Sequence, residues 1–383
     1  MAKRRTPPPL ERGGRPAPLV RPTDQRRSSS RRGRDLKPPK KRSRTARNPV
    51  VIVLSFLFLM VMLGLVGAGI AVTWADQMLR AEGPLTQAVG VIIEPGTSVA
   101  VIGRNLESSG VISNRFVFRA AAIRSGAATR LQAGEYKIDA GSSMAQVLDT
   151  LASGKVVRHK ITVPEGLSSA QVVSLLEDNN VLTGEIDSIP DEGSLLPETY
   201  IFTRGLSRAR MIALMQDAME DAKAEIWAGR DQGIPIDSPD DMVVLASIVE
   251  KETGLDGERG RVAAVFVNRL NKPQRLESDP TILYGLYGGD AWSRLRGGIT
   301  QSEKDRPNTY NTYQINGLPP GPIANPGRAA LEAVANPPTT NEFFFVADGT
   351  GGHDFSVTYE EHLRKVARLR AIERSRSTGS TTQ

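Results

Sequence analysis

From Asn48 to Ala75 the chain carries no charged side chain. Its heart, Val50 to Val72, exceeds the ~20 apolar residues that an α-helix needs to cross a bilayer. A cleaved signal peptide has a shorter apolar stretch and a short basic start, so the pattern predicts an uncleaved membrane helix over residues 48–75. Trp74 stands where an interfacial aromatic belongs. Beyond it the pattern becomes short and periodic, and three segments look alike. They begin at Glu94-Pro95-Gly96-Thr97-Ser98, at Asp139-Ala140-Gly141-Ser142-Ser143 and at Pro164-Glu165-Gly166-Leu167-Ser168. Each has a glycine turn, a Ser or Thr suited to capping, and apolar positions at helical spacing. Each follows a β-rich run: Val89 to Ile93, Tyr136 to Ile138, and His159 to Val163. The expectation is three strand–turn–helix units.

Past Leu196-Pro197-Glu198-Thr199-Tyr200-Ile201-Phe202 the texture changes. An amphipathic helix is expected over Ser207 to Ile226, then a second from Met242 to Thr253, with Asp240 or Asp241 as cap and Gly254 as stop. Val265 to Leu270 reads as a helix containing one Asn of buried type. Glu277-Ser278-Asp279-Pro280-Thr281 opens another helix, and Phe343 to Asp348 reads as a buried strand. The fold class is therefore α+β behind a single membrane helix.

Charge is unevenly spread. Residues 1–47 hold 17 Lys/Arg against three acids, whereas the remainder holds 32 Lys/Arg against 39 Asp/Glu. The basic character belongs to a Pro- and Arg-rich leader too poor in apolar residues to fold, and it gives no reason to expect nucleic-acid binding. Basic residues just before the apolar run, with only Asp76 and Arg80 just after, place the leader in the cytoplasm and the rest outside. The chain has no cysteine and three scattered histidines, which exclude thiolate chemistry and leave no metal or cofactor expected.

In the second helix Leu245, Ile248, Val249 and Glu252 share one face. Glu252 thus continues an apolar stripe and ends its helix. Low dielectric and the negative end of the helix dipole both favour its protonated form, as a general acid requires. Glu250 falls on another face, where a solvated or ion-paired role suits it better, and it is the second candidate for the acid. Rings and neutral polar groups recur further on, in Tyr310-Asn311-Thr312-Tyr313 and around Gly317-Leu318-Pro319-Pro320-Gly321-Pro322-Ile323, as in sites that stack and hydrogen-bond sugars.

Together these strings resemble the endolytic murein transglycosylase (MltG, or YceG-like) family. The matching stretches are Ala246-Ser247-Ile248-Val249-Glu250-Lys251-Glu252-Thr253, Val265 to Leu270, Ser278-Asp279-Pro280-Thr281, Tyr310 to Tyr313 with Gly317 to Ile323, and Phe345 to Gly349 with Gly352-His353. The resemblance spans about residues 85–370. The long basic leader departs from the family's layout, and Glu198 stands where the family usually has Asp. The resemblance implies a lyase that cuts the β-1,4 bond between N-acetylmuramic acid and N-acetylglucosamine in nascent glycan strands and leaves a 1,6-anhydro end. Its catalytic Glu maps to Glu252. In the distantly similar goose-lysozyme and soluble lytic transglycosylase group that Glu directly precedes Ser or Thr, as Glu252 precedes Thr253. Asn268, Ser278, Asp279, Thr281, Tyr310, Asn311, Tyr313 and His353 are the residues expected to position Glu252 or bind sugar.

The expected layout is a disordered leader (1–47), the membrane helix (48–75), a small LysM-like α/β region (84–158), a mixed α/β catalytic region distantly lysozyme-like (159–370) and a disordered tail (371–383). The implied setting is the bacterial cytoplasmic membrane, with peptidoglycan strands as substrate and peptidoglycan synthases as partners. Two other readings stay open. One is a lysozyme-like hydrolase in which Asp279 or another acid activates water. The other is a wall-binding scaffold without catalysis.

Overall fold

The computed structural model describes residues 48–291 and 299–379. The leader at 1–47 lies outside them. The long apolar helix α1 runs from Pro49 to Arg80, and none of its side chains is buried. It is long and apolar enough to cross a membrane. Residues 71–379 belong to a compact body of their own, distinct from the unit that ends at Ile70.

That body holds three cores. The first lies between Ile93 and Leu151. Strand β1 (Val89–Ile93) leads to helices α2 (Val99–Ser108) and α3 (Arg115–Arg124), then strand β2 (Gly134–Ile138) leads to α4 (Met144–Ser153). β1 and β2 pair antiparallel, with Val89 opposite Ile138. The second core lies between Ile161 and Met215. It contains β3 (Arg158–Thr162), α5 (Ser169–Glu177) and β4 (Thr199–Thr203), and it takes in the start of α6 (Arg208–Ala228). β3 and β4 pair antiparallel.

The three expected units are therefore present as β1–α2, β2–α4 and β3–α5. In the latter two the serine forms a full capping box. Ser143 and Ser168 each accept from the backbone three residues on, and Gln146 and Gln171 each accept in return from the cap's own N–H. Ser98, at the matching place before α2, makes no side-chain cap. Glu135 joins the first two cores. Its carboxylate takes His159 Nε2 at 2.7 Å and Arg204 Nε at 2.8 Å.

The third core is the largest and holds α7 (Pro239–Glu252), α8 (Asp256–Asn271), α11 (Arg328–Ala335) and part of α6. Between them lie α9 (Asp279–Tyr287) and a short α10 (Gln301–Asp305). A hairpin of β5 (Phe344–Ala347) and β6 (His353–Ser356) follows, then α12 (Tyr359–Gly379). Three expectations change here. The cap of α7 is Ser238, which accepts from Asp241 N at 3.1 Å, with Pro239 at the first helical position; Asp241 instead accepts from the Ser238 hydroxyl at 2.6 Å. Strand β5 is half-buried instead of buried: Phe345 packs on Phe266 of α8 and Phe344 on His362, yet each keeps part of its surface exposed. Helix α12 continues to residue 379, through positions expected to be disordered, because Arg376 reaches back to the Gly349 carbonyl at 2.6 Å.

Candidate active site

Helix α7 is the site's foundation. Leu245, Ile248 and Val249 are wholly buried, and each contributes roughly 2 kcal/mol by leaving water. Val243, Ala246 and Ser247 on the other sides are buried as well, so the helix runs through the core with no polar face. Helical periodicity therefore does not separate Glu250 from Glu252. Their surroundings do.

Glu250 is buried against protein. It accepts from Gly327 N at 3.0 Å and lies 3.8 Å from Arg259, which also binds Asp256 at 2.7 Å and approaches Glu165 at 3.7 Å. Of the two roles expected for it the structure shows an ion pair and not a solvated charge, and burial pushes its carboxyl up. Glu252, two residues on, ends the helix at a cleft of about 330 Å³. The cleft is lined by Glu252, Arg269, Leu276, Glu277, Asp279, Tyr313, Phe345, Val346 and His362.

As a residue Glu252 is half-buried, yet its carboxyl is enclosed by neighbours. Burial pushes its pKa up to about 7; the Ser278 hydrogen bond opposes this, the Asp279 charge adds to it, and His353 and Arg269 oppose it more weakly. The Ser278 hydroxyl donates to Glu252 Oε1 at 2.5 Å. Ser278 occupies the cap position of α9 but makes no cap. A capping serine contributes about 1 kcal/mol, and here the hydroxyl is turned to Glu252 instead. Residues behind it fix its place. Thr312 Oγ1 accepts from Ser278 N at 2.9 Å, and Thr281 Oγ1 donates to Ser278 O at 2.7 Å. The two threonine hydroxyls meet at 2.9 Å. Just before Ser278, Glu277 holds a left-handed φ of 56°, a strained conformation for a residue with a side chain. Arg269 Nη1 helps to hold it there, binding Glu277 Oε2 at 3.0 Å.

Asp279 faces the same cleft. Its Oδ1 accepts from the Tyr313 hydroxyl at 2.8 Å and lies 3.3 Å from Lys304 Nζ. Burial and Asp279 both push the Tyr313 hydroxyl up, so it stays a proton donor. Arg269 is buried and serves as a brace. It donates to the carbonyls of Phe343 at 2.7 Å, Leu276 at 2.9 Å and Arg275 at 3.0 Å.

Of the residues expected at the site, Glu252, Ser278, Asp279 and Tyr313 come together, with Thr281 directly behind Ser278. The others do not line the cleft. Asn268 ties α8 to the approach of β5, donating to the carbonyls of Glu342 at 2.9 Å and Thr340 at 3.0 Å. Tyr310 packs edge-on to Tyr284. Asn311 shapes its own turn, accepting from Tyr313 N at 3.0 Å and donating to Lys304 O at 2.9 Å. His353 pairs with Glu258 at 2.8 Å. Sequence reasoning missed Arg269, Glu277, Phe345, Val346 and His362. Arg269 carried a signal as a charge inside the apolar run Val265–Leu270, and Phe345 and Val346 lay in a string matched to the family.

Size does not single out this cleft. A hollow of the same volume, about 330 Å³, lies beside Glu220, Lys223, Asp240 and Pro322. There Glu220 and Asp240 are paired with Lys223 at 2.7 and 2.8 Å. Glu192 also lines that hollow, and burial pushes its carboxyl up too, but it is held by Ser169 N at 2.7 Å; at Glu252 burial carries the pKa to about 7 beside an open cleft. Among the described residues no group of three or more His, Asp or Glu is gathered as a metal ion would need.

A mixed α/β body that sets a carboxyl with a pKa of about 7 beside an open cleft has the means for acid–base chemistry. Residues 91–368 match the YceG-like family model, and the chain belongs to that family. It is 29% identical over 311 residues to the endolytic murein transglycosylase of Bacillus subtilis, an alignment covering 72% of this chain and 82% of that one. It is 28% identical over 364 residues to the endolytic murein transglycosylase of Streptococcus pneumoniae serotype 2, covering 82% of this chain and 64% of that longer one. A crystal structure of a yceG-like protein from Listeria monocytogenes, 29% identical, aligns over 73% of this chain and 99% of its own with a TM-score of 0.44.

Proposed function

We propose that this chain is a lyase, an endolytic murein transglycosylase, that cuts peptidoglycan strands with Glu252 as acid and then base. The observation that carries the reading is the Glu252 carboxyl, enclosed at the end of a buried helix, with a pKa near 7 and the Ser278 hydroxyl 2.5 Å away. Near neutral pH such a group can give up a proton and take one back. The two similar enzymes from Bacillus and Streptococcus supply the reaction class.

Protonated Glu252 donates to the glycosidic oxygen between N-acetylmuramic acid and N-acetylglucosamine, and the C1–O bond breaks. The C6 hydroxyl of the same muramic residue attacks C1, and its proton passes to the Glu252 carboxylate. Atoms balance without water, and the product ends in a 1,6-anhydro ring. Most glycosidases need a second carboxylate, as nucleophile or to activate water. Asp279 is the nearest such group on the cleft wall, and its Oδ1 is engaged by Tyr313 and Lys304. The choice of a lyase over a hydrolase therefore rests on the two similar enzymes.

In this reading Ser278 orients Glu252, Thr281 orients Ser278, and Asp279 and Tyr313 bind sugar with Phe345 and Val346. Asn268, Tyr310, Asn311 and His353 act from behind the cleft wall. Residues 48–75 anchor the chain in the cytoplasmic membrane with the leader inside. The region 84–158 acts as a LysM-like holder of glycan, and 159–370 is a distantly lysozyme-like catalytic region. Tethering would place the cleft near new strands, where peptidoglycan synthases work.

The test is digestion of purified peptidoglycan and of uncrosslinked nascent strands by the full chain in detergent, wild type beside Glu252→Gln. The new ends are read by mass spectrometry. Anhydro-muramic ends from wild type and none from the variant are expected. Reducing ends would make the protein a hydrolase, and absence of cleavage by folded wild type would make it a scaffold.

A further inference from the structure

We propose that the outward face of α3 is a membrane-contact surface, resting on anionic phospholipid headgroups beside the point where the anchor leaves the bilayer. The proposal rests on the reading of residues 48–75 as a membrane anchor.

Helix α3 is ten residues long and two-faced. Val117, Phe118, Ala121 and Ala122 are buried in the first core. Phe116, Arg119, Ala120 and Ile123 fall at i, i+3, i+4 and i+7 on the other face. Phe116 is 67% exposed and Ile123 60%. A single exposed apolar residue needs no explanation. Here two large ones share a stripe with arginine, and the stripe continues into a hollow. That hollow, about 290 Å³, is lined by Val117, Ala120, Ala121 and Arg124 of α3 and by Ala71, Val72, Ala75, Asp76 and Leu79 of α1. Ala75, Met78 and Leu79 pack against the same core as α3. The turns by which the chain enters this body therefore run alongside α3, and Val72 belongs to the apolar run that would cross the membrane.

Charge complementarity names the occupant. Arg115, Arg119 and Arg124 lie on the helix, and exposed Arg104 and Arg130 lie on its neighbours in the chain. The nearby acids are Glu107, 3.5 Å from Arg115, and Asp76, 3.7 Å from Arg124, so the patch keeps a positive excess. A helix with large apolar residues and arginines on its outer face has the composition of helices that lie in the bilayer interface. Each basic residue near an anionic surface adds about 1 kcal/mol of attraction. The consequence is a fixed stance. A body held by one helix swivels, whereas a body held by a helix and a second contact keeps one side to the membrane.

The chain has no cysteine, so a single introduced one reports alone. Ile123→Cys, Ile201→Cys and Leu59→Cys would each be made in the full chain, given an environment-sensitive dye, and placed in vesicles of phosphatidylglycerol and phosphatidylcholine. Quenching by brominated lipid is the readout. Ile201 on β4 is 65% exposed and controls for mere exposure of an apolar side chain. Labels at Leu59 and Ile123 should be quenched and the label at Ile201 should not. Quenching at Ile123 should fall in pure phosphatidylcholine, and also at ~1 M salt, where the screening length is about 3 Å. Quenching at Leu59 with Ile123 behaving like Ile201 would overturn the proposal and leave the anchor standing. An unquenched Leu59 would remove the anchor and the proposal together. Undiminished quenching at Ile123 in neutral vesicles would refute the anionic preference. Dye–dye contact between Ile123 labels without lipid quenching would assign the face to a second copy of the chain instead.

Discussion

Replacing Glu252 with Gln should make the folded protein more stable at pH 8 and leave its stability near pH 4.5 almost unchanged. Burial lifts this carboxyl from 4.5 to about 7. Between those values the folded state holds a proton that the unfolded state has released, so stability falls as pH rises through the interval. Below it both states are protonated and above it both are ionised, and the contribution is flat. The shift corresponds to about 3 kcal/mol. That is an upper value, because water in the cleft screens part of the charge. Gln mimics the neutral acid in shape and keeps an oxygen to accept from Ser278, so it carries no such penalty. In the transition that melts the core around α7 and α8, about 3 kcal/mol corresponds to a rise of roughly 6–12 °C for a unit of this size. The assay is calorimetric melting of wild type and variant at pH 4.5 and pH 8, with the variant-minus-wild-type difference compared between the two. Groups titrating alike in both proteins cancel in that comparison. A difference that does not grow with pH would refute the reasoning, since the carboxyl would then be neither enclosed nor shifted.

Two neighbours should move the pH–rate profile in opposite directions. Ser278→Ala removes the hydrogen bond that favours the carboxylate, so the alkaline limb of cleavage should shift about one to two pH units higher, the equivalent of a hydrogen bond to a charged group. Asp279→Asn removes a like charge, so the same limb should shift lower; an unmoved limb in either variant would separate that residue from Glu252. Tyr313→Phe frees Asp279 from its 2.8 Å hydrogen bond, and a loss of cleavage without loss of melting temperature is expected. Arg269→Met should cost about 3–5 kcal/mol in denaturant unfolding, because three backbone carbonyls and Glu277 lose a buried donor. A melting curve like that of wild type would show that the brace is dispensable.

The local architecture was readable in the sequence to the extent that it is local. The three strand–turn–helix units follow from glycine turns and apolar spacing, with capping serines in two of them, all set within about fifteen residues of each other. The pairing of Glu252 with Ser278 was accessible only because both lie in strings of a recognisable family; nothing in their separation predicts a 2.5 Å contact. Helical faces do not distinguish Glu252 from Glu250, since α7 is buried on every side up to Glu250. Within Val265–Leu270 the amide of Asn268 drew attention, whereas its charged neighbour Arg269 reaches the cleft. An Asn in an apolar run marks a tether as readily as a site, and here it binds backbone at 340 and 342. Phe345 and Val346 lay in a matched string but read as core strand, and His362 was out of reach because a later helix brings it over the cleft.

The three cores follow one another along the chain, and that order has a consequence in time. The first core uses residues 93–151 and the second residues 161–215, so each can close as soon as its own stretch has emerged. The third reaches from Leu196 to Phe355, and the cleft wall adds His362 beyond it. Glu252 is made early and then waits for some hundred residues before its enclosure exists. Until the hairpin and α12 arrive, its carboxyl is bathed in water and ionised like any other. A chain made only that far would be partly folded, yet would lack the completed cleft that the proposed reaction needs.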